Sequence, residues 1–350
     1  MAGCALAARD DFVPVYLRGG QAGFGGIITC GSVWACSVCS ATIRQRRAEV
    51  VEEKATRWLA DGHGLLFVTL TRSHSMADDL TQLLDSVHDT WRAAQQHRVF
   101  RTAAAAAGYV GPLRATEITH GYNGWHPHLH LLLWFEKPLT EKQCAEFEGA
   151  LAQCWLSGVD ASREHGIKSV RVGRRQRDAA ALSAYLVKMQ DGYEATKPAP
   201  RWSVAAEMTR GDLKRGRSKH RTPFEIAEQA VAGDKGAIAL WRVYEAATKG
   251  RRCIQWGQKL SRRLKVEQVD DQQLVDQLPD DAMVVIELTR HEWNLVRGYS
   301  REASLLDAVE REGLAGATDL LRVLFRRAVF DHSRGRPARS AVAQSVDLAA

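Results

Sequence analysis

The chain of 350 residues has no apolar run approaching the ~18 residues that a membrane-crossing helix requires. Its first ten residues lack both the basic start and the apolar centre of a secretory leader. No internal repeat is present. These absences predict a protein that works in the cytoplasm and has no membrane partner. Thiols stay reduced there, so the seven cysteines point to metal ligands or free thiols before disulfides. Acid is scarce in one region: residues 197–265 carry 17 basic and 6 acidic side chains, a net of +11. The whole chain is +7, so the remainder is net −4. A basic excess confined to one stretch predicts a polyanion partner. With 45 % hydrophobic residues the chain can bury a real core, and its length suits two domains or one with appendages.

Residues 109–135 read as two β-strands joined at Gly121-Tyr122-Asn123-Gly124, Asn-Gly being a strong hairpin signal. Along the second strand His126, His128 and His130 alternate with Leu129, Leu131 and Leu133. The histidines therefore share one face and the leucines the other, which is the core face. His126 and His130 are ~13 Å apart at strand rise, so one ion cannot bind all three. A further ligand should come from the facing strand. Glu117 faces His130 if the turn is Asn123-Gly124, and His128 if it is Tyr122-Asn123. Both registers keep Glu117 on the histidine face. A carboxylate with two imidazoles suits a divalent ion such as Mn²⁺ or Mg²⁺. The bland alternative is a polar sheet face with solvated histidines.

His128-Leu129-His130, in its setting of residues 125–133, resembles the HUH motif (His, hydrophobic, His) of rolling-circle replication initiators from bacterial plasmids. Phe67-Val68-Thr69-Leu70-Thr71 resembles the first motif of that family, and Tyr185-Leu186-Val187-Lys188 its third. The three occur in the family's order, and the likeness extends over roughly residues 4–265. The resemblance implies an α+β fold with a central antiparallel sheet flanked by helices, of the HUH endonuclease (RRM- or ferredoxin-like) type. It implies that Tyr185 attacks a DNA phosphate at a plasmid origin, single-stranded or extruded as a hairpin. A 5′-phosphotyrosyl link and a 3′-OH primer result, with Lys188 beside the phenolate. Host helicase and DNA polymerase are the implied partners, and a homodimer on DNA is compatible with it. A glutamate four residues before the tyrosine, found in one branch of the family, is replaced here by Ala181, which leaves the termination residue open.

Cys30, Cys36 and Cys39 supply three thiolates, and a tetrahedral structural Zn²⁺ site needs a fourth ligand. The resemblance places a cysteine near Cys4, and His63 is an alternative. No βαβ context surrounds the C-x-x-C pair, which disfavours redox chemistry. A glycine-rich, zinc-stapled segment is expected over residues 1–42 and the nicking domain over 43–195. A basic DNA-contacting extension would follow over 196–265, and a small α/β accessory region over 266–350 with a tail composition that suits disorder. A helix is expected over residues 43–60, with Arg44, Arg46 and Arg47 in its first turns facing phosphate or solvent. One long helix or two should fill residues 79–107. Thr140-x-x-Gln143 reads as a capping box, with Cys144 and Cys154 as buried thiols on the helix that follows.

In the basic extension, Arg215, Arg217, Arg251, Arg252, Arg262 and Arg263 are candidate DNA contacts. Trp202, Trp241 and Trp256 are placed for stacking. The rival functions are an HUH transposase or relaxase, and a non-catalytic zinc-ribbon DNA-binding regulator.

Overall fold

The computed structural model describes residues 4–158, 167–172, 220–267 and 269–333. The chain divides into two compact units, residues 33–37 with 43–268, and residues 1–32 with 38–42 and 269–350. Both have antiparallel sheets with helices packed on them, an α+β architecture.

The larger unit is built on a five-stranded antiparallel sheet with order β6-β3-β5-β4-β7. Its strands are β3 (Gly64–Thr71), β4 (Tyr109–Gly121), β5 (Gly124–Phe135), β6 (Ile167–Val172) and β7 (Ile254–Trp256). β5 lies at the centre, which suits its run Leu129–Phe135, buried on both faces. One face carries Leu129, Leu131, Leu133 and Phe135 with Leu66, Val68 and Leu70 of β3. Helices α2 (Leu80–Gln96), α3 (Arg98–Ala106) and α4 (Glu141–Leu156) cover it with Val87, Trp91, Phe100, Phe147, Leu151 and Trp155. The expected capping box is present: Thr140 accepts from Gln143 N–H, and the Gln143 side chain accepts from Thr140 N–H. Cys144 and Cys154 are buried and in no disulfide, and the Cys144 thiol donates to Glu148 at 3.0 Å. α2 and α3 are separate helices because His97 is extended (ψ 136) and its ring accepts from Val99 N–H, capping the second.

On the opposite face α1 (Ser37–Ala60) packs through Trp58. The Trp58 indole donates to Gly64 O and Phe135 O, both at 3.2 Å, and meets Trp134 edge-on at 5.4 Å. α1 starts six residues earlier than residue 43, where the apolar spacing first becomes helical. Cys36 takes the N-cap position, and the cap makes no side-chain hydrogen bond. Helices α5 (Pro223–Val231) and α6 (Lys235–Thr248) belong to the same unit. Residues 254–256 add strand β7 beside β4, so the stretch set apart in the sequence as a DNA-contacting extension supplies part of the central sheet.

The smaller unit pairs β1 (Phe12–Arg18) with β2 (Gln21–Phe24) on one side and β8 (Met283–Thr289) on the other. Its core is Val13, Val15 and Leu288 against Trp293 and Val296 of α9 (Arg290–Gly298) and Leu305, Val309, Leu321 and Leu324 of α10 (Glu302–Ser333). Residues from the two ends of the chain thus share one core, although the sequence reading separates 1–42 from 266–350. α10 is interrupted at Gly313 (φ +59), in the left-handed region that favours glycine. Two short helices, α7 (Gln258–Arg263) and α8 (Asp271–Asp276), complete the described elements. No described helix is long and apolar enough to cross a membrane.

Candidate metal centre

The β4–β5 hairpin closes with Gly121 opposite Gly124, so Tyr122-Asn123 forms the turn and Gly124 takes φ +89. This register sets Glu117 directly opposite His128, with Ala115 opposite His130. His130 is the diagonal neighbour of Glu117 on the same face, within side-chain reach. Glu117 Oε2 lies 2.7 Å from His130 Nε2 and 3.2 Å from His128 Nε2. The three side chains are 16, 6 and 12 % exposed, respectively, so an ion there would be shielded while keeping access to solvent.

Two imidazole nitrogens and a carboxylate oxygen, all within 4.8 Å of one another, fit a divalent cation of intermediate hardness. The surroundings fit as well. Thr69 sits opposite His130 on β3, and its Oγ1 is 3.1 Å from His130 Nδ1. A hydroxyl can accept from Nδ1–H, which leaves the Nε2 lone pair for a metal. Phe67 stacks on the His130 ring at 5.4 Å and restricts its rotation. Thr69 therefore has a role the sequence reading did not give it beyond its place in a motif. Its position opposite His130 in the strand pairing is the signal that identifies it.

His126 is separate from the triad. Its Nδ1 lies 3.1 Å from His74 Nδ1, and burial, with neighbouring His128 and His74, pushes its pKa down to about 3. It is a neutral imidazole at physiological pH. Behind the sheet, His88 of α2 lies 3.3 Å from Thr116 Oγ1. Burial, then the guanidinium charges of Arg114 and Arg251, depress its pKa to about 4.

A cleft opens beside the triad. Glu117, Ile118, His130, Trp34, Arg44, Thr222, Phe224 and Tyr244 are among its lining residues. Arg44 of α1 is only 8 % exposed, and its guanidinium carbon lies 5.6 Å from the Trp34 ring centroid. Burial raises the Tyr244 phenol well above its usual range, and its hydroxyl donates to Trp34 O.

The second cluster is the cysteines. Cys36 caps α1, and Cys39 follows in its first turn, so a C-x-x-C pair is presented from one helix end. Cys39 Sγ is 3.5 Å from Cys4 Sγ and 3.7 Å from Cys30 Sγ, and all four sulfurs lie within 4.8 Å of one another. Four thiols at that spacing fit a tetrahedral Zn²⁺ site. Cys4 is the fourth member. His63 instead bonds Glu136 O at 2.7 Å and stacks on Trp58.

The candidate DNA contacts are divided. Arg251 pairs with Asp85 at 2.8 Å, and Arg263 pairs with Glu136 at 2.7 Å while covering the Trp58 ring. Arg252 and Arg262 are exposed. Trp256 is half-buried against Trp134, and Trp241 is half-buried between Phe224 and Tyr244. Tyr185, Lys188, Ala181, Trp202, Arg215 and Arg217 lie outside the described residues.

No family model and no solved structure matches the chain. A protein of Streptomyces cyanogenus described as a neomycin resistance protein is 33 % identical over 133 residues, 31 % of this chain and 30 % of that one. A wider match, 30 % identical over 305 residues, takes in 69 % of this chain and 65 % of the other protein, just under two thirds of its length. This chain is a distant homologue of that protein, the Protein rep of Streptomyces lividans.

Proposed function

We propose that this chain is a plasmid replication initiator of the HUH type, which nicks one strand of origin DNA through a tyrosine and a divalent metal ion. The observation that carries the reading is the convergence of Glu117, His128 and His130 on one point, in a chain homologous to a protein named for replication.

Glu117, His128 and His130 hold Mn²⁺ or Mg²⁺, which supplies charge neutralisation at the scissile phosphate. Thr69 orients His130 for that role. Tyr185 attacks phosphorus: its phenol loses a proton, the Tyr O–P bond forms and the P–O3′ bond breaks. The leaving 3′-oxygen takes up a proton and becomes the primer. Lys188 stabilises the phenolate, whose unperturbed pKa of about 10 makes it a poor nucleophile unaided. The four-cysteine cluster holds Zn²⁺ and staples the N-terminal segment to the start of α1. Exposed Arg252 and Arg262 track the DNA backbone, together with Arg215 and Arg217, while Arg251 and Arg263 do so only by exchanging their present carboxylate partners. The substrate is single-stranded or hairpin-extruded origin DNA in the bacterial cytoplasm. Host helicase and polymerase take over the nicked strand, and a second copy of the chain is a candidate partner on the DNA.

The test is incubation of labelled single-stranded oligonucleotides, tiled across a plasmid that carries this gene, with protein and Mn²⁺ or Mg²⁺. A denaturing gel should show a protein–DNA adduct that is lost in His128→Ala. Cleavage without an adduct would replace this reading with water-driven hydrolysis.

A further inference from the structure

We infer that the chain carries a second DNA-backbone contact on the face of the central sheet opposite the metal centre, where Arg114 and Arg92 meet a phosphate of the DNA that flanks the nicked site. The inference rests on the reading of the chain as a protein that nicks origin DNA. It names two residues that lie outside the basic stretch 197–265 and outside the three motifs.

The strand register sets the place. Arg114 of β4 lies opposite Leu131 of β5, which belongs to the core face that α2 covers. Glu117, three positions along β4, lies opposite His128 and faces the other way. β4 is the neighbour of the edge strand β7, so Arg114 stands at the rim of the core face. It is half-buried, and its guanidinium donates to the neutral Oε1 of Gln255, its register partner on β7. Among the described residues no carboxylate pairs with it. Burial, then the guanidinium of Arg92 on α2, lower its pKa.

More positive charge gathers there. Beyond burial, Arg114, Arg251 and Arg92 all depress the pKa of His88 on α2, while Asp85 raises it. Asp85 is already paired with Arg251 at 2.8 Å. Arg92 pairs with Asp89 at 2.8 Å, and both are exposed, so that pair exchanges at little cost. Three guanidinium groups against two carboxylates, with His88 neutral, leave a charge of +1. Like charges drawn together cost stability while no anion is bound. A phosphodiester brings one negative charge and two non-bridging oxygens, which neutralises the excess and matches the planar donors of Arg114. DNA is the phosphate source that fits. Glu117 lies ~10 Å along β4 from Arg114 at strand rise, about three nucleotides of a duplex strand, so DNA leaving the metal centre over the short edge strand meets this rim.

The test measures the affinity of the full, Mg²⁺-loaded chain for a short DNA duplex and for single-stranded oligo-dT of equal length. Fluorescence anisotropy is read across a range of salt concentrations, and backbone contacts of this kind carry no sequence information. Arg114→Gln should flatten the plot of log K against log salt by about 0.9 on the duplex, or by about 0.7 on the single strand, the loss of one phosphate contact. The arm in which it flattens identifies the form of the flanking DNA. Arg92→Gln should flatten the plot in the same arm, and Arg114→Lys should restore the slope because the charge remains. Mn²⁺ affinity, measured separately by electron paramagnetic resonance, should match the wild type in every variant, which excludes collapse of the sheet. A wild-type slope in Arg114→Gln on both DNAs overturns the assignment, as does a flattening that Arg114→Lys fails to reverse. Flattening in a protein that forms no DNA adduct keeps the surface and rejects the tyrosine-transfer reading. An adduct together with a wild-type slope in Arg114→Gln does the opposite.

Discussion

Glu117 Oε2 and His130 Nε2 lie 2.7 Å apart, although the residues are thirteen positions apart on different strands. Only the Tyr122-Asn123 turn and the diagonal stagger of an antiparallel pair bring them together with His128. A one-residue slip in pairing would send Glu117 to the opposite face.

The triad should therefore fail as a unit. Glu117→Gln and His130→Ala are each expected to abolish Mn²⁺ binding at micromolar concentrations, read by calorimetry. Thr69→Val removes only the orienting hydroxyl, and a loss of about 10-fold to 100-fold in metal affinity is expected. Wild-type affinity in Thr69→Val would show that His130 needs no orientation.

Cysteine substitution should act through zinc. Cys39→Ser removes the sulfur that approaches both Cys4 and Cys30, so elemental analysis should find zinc in the purified wild type and none in the variant. Its melting temperature should fall, because metal binding at such a site is folding free energy. Chelation of the wild type should reproduce the fall, while Cys154→Ser should leave the zinc content untouched.

Acid should destabilise the protein through His88. Its folded pKa of about 4 lies below the unfolded value of 6.5, so between those limits the unfolded chain binds a proton that the folded one does not. Stability from this group is present above pH 6.5 and falls as pH drops, by on the order of 3 kcal/mol in all. His88→Gln should unfold with a shallower pH dependence across that window in urea titrations. An unchanged slope would place the acid sensitivity elsewhere.

The core face of β5 should tolerate no truncation. Leu131 is fully buried between Val68 of β3 and Arg114 of β4 in the strand pairing. Leu131→Ala should cost about 2–5 kcal/mol in denaturant unfolding.

The parts of this structure that the sequence makes legible are the local ones. The alternation His126, His128, His130 against Leu129, Leu131, Leu133 marks both faces of β5, and Asn-Gly marks its turn. Thr140 and Gln143 announce a helix start. The β1–β8 and β4–β7 pairings join segments far apart in sequence, and periodicity carries no information about which strand pairs with which. The start of α1 was hidden because Ser37 to Thr42 show no amphipathic spacing. Arg44 reads in sequence as facing phosphate or solvent, and its burial becomes visible only when Trp34 and Tyr244 are placed around it.

The central claim is tested most directly by locating the covalent bond. Origin-strand oligonucleotide is incubated with protein and Mn²⁺, the adduct is digested with nuclease and trypsin, and the peptides are read by mass spectrometry. The account predicts that the peptide of residues 178–188 carries the nucleotide mass on Tyr185, and that Tyr185→Phe yields no adduct. A nucleotide on another residue, or an adduct that survives in Tyr185→Phe, would contradict it.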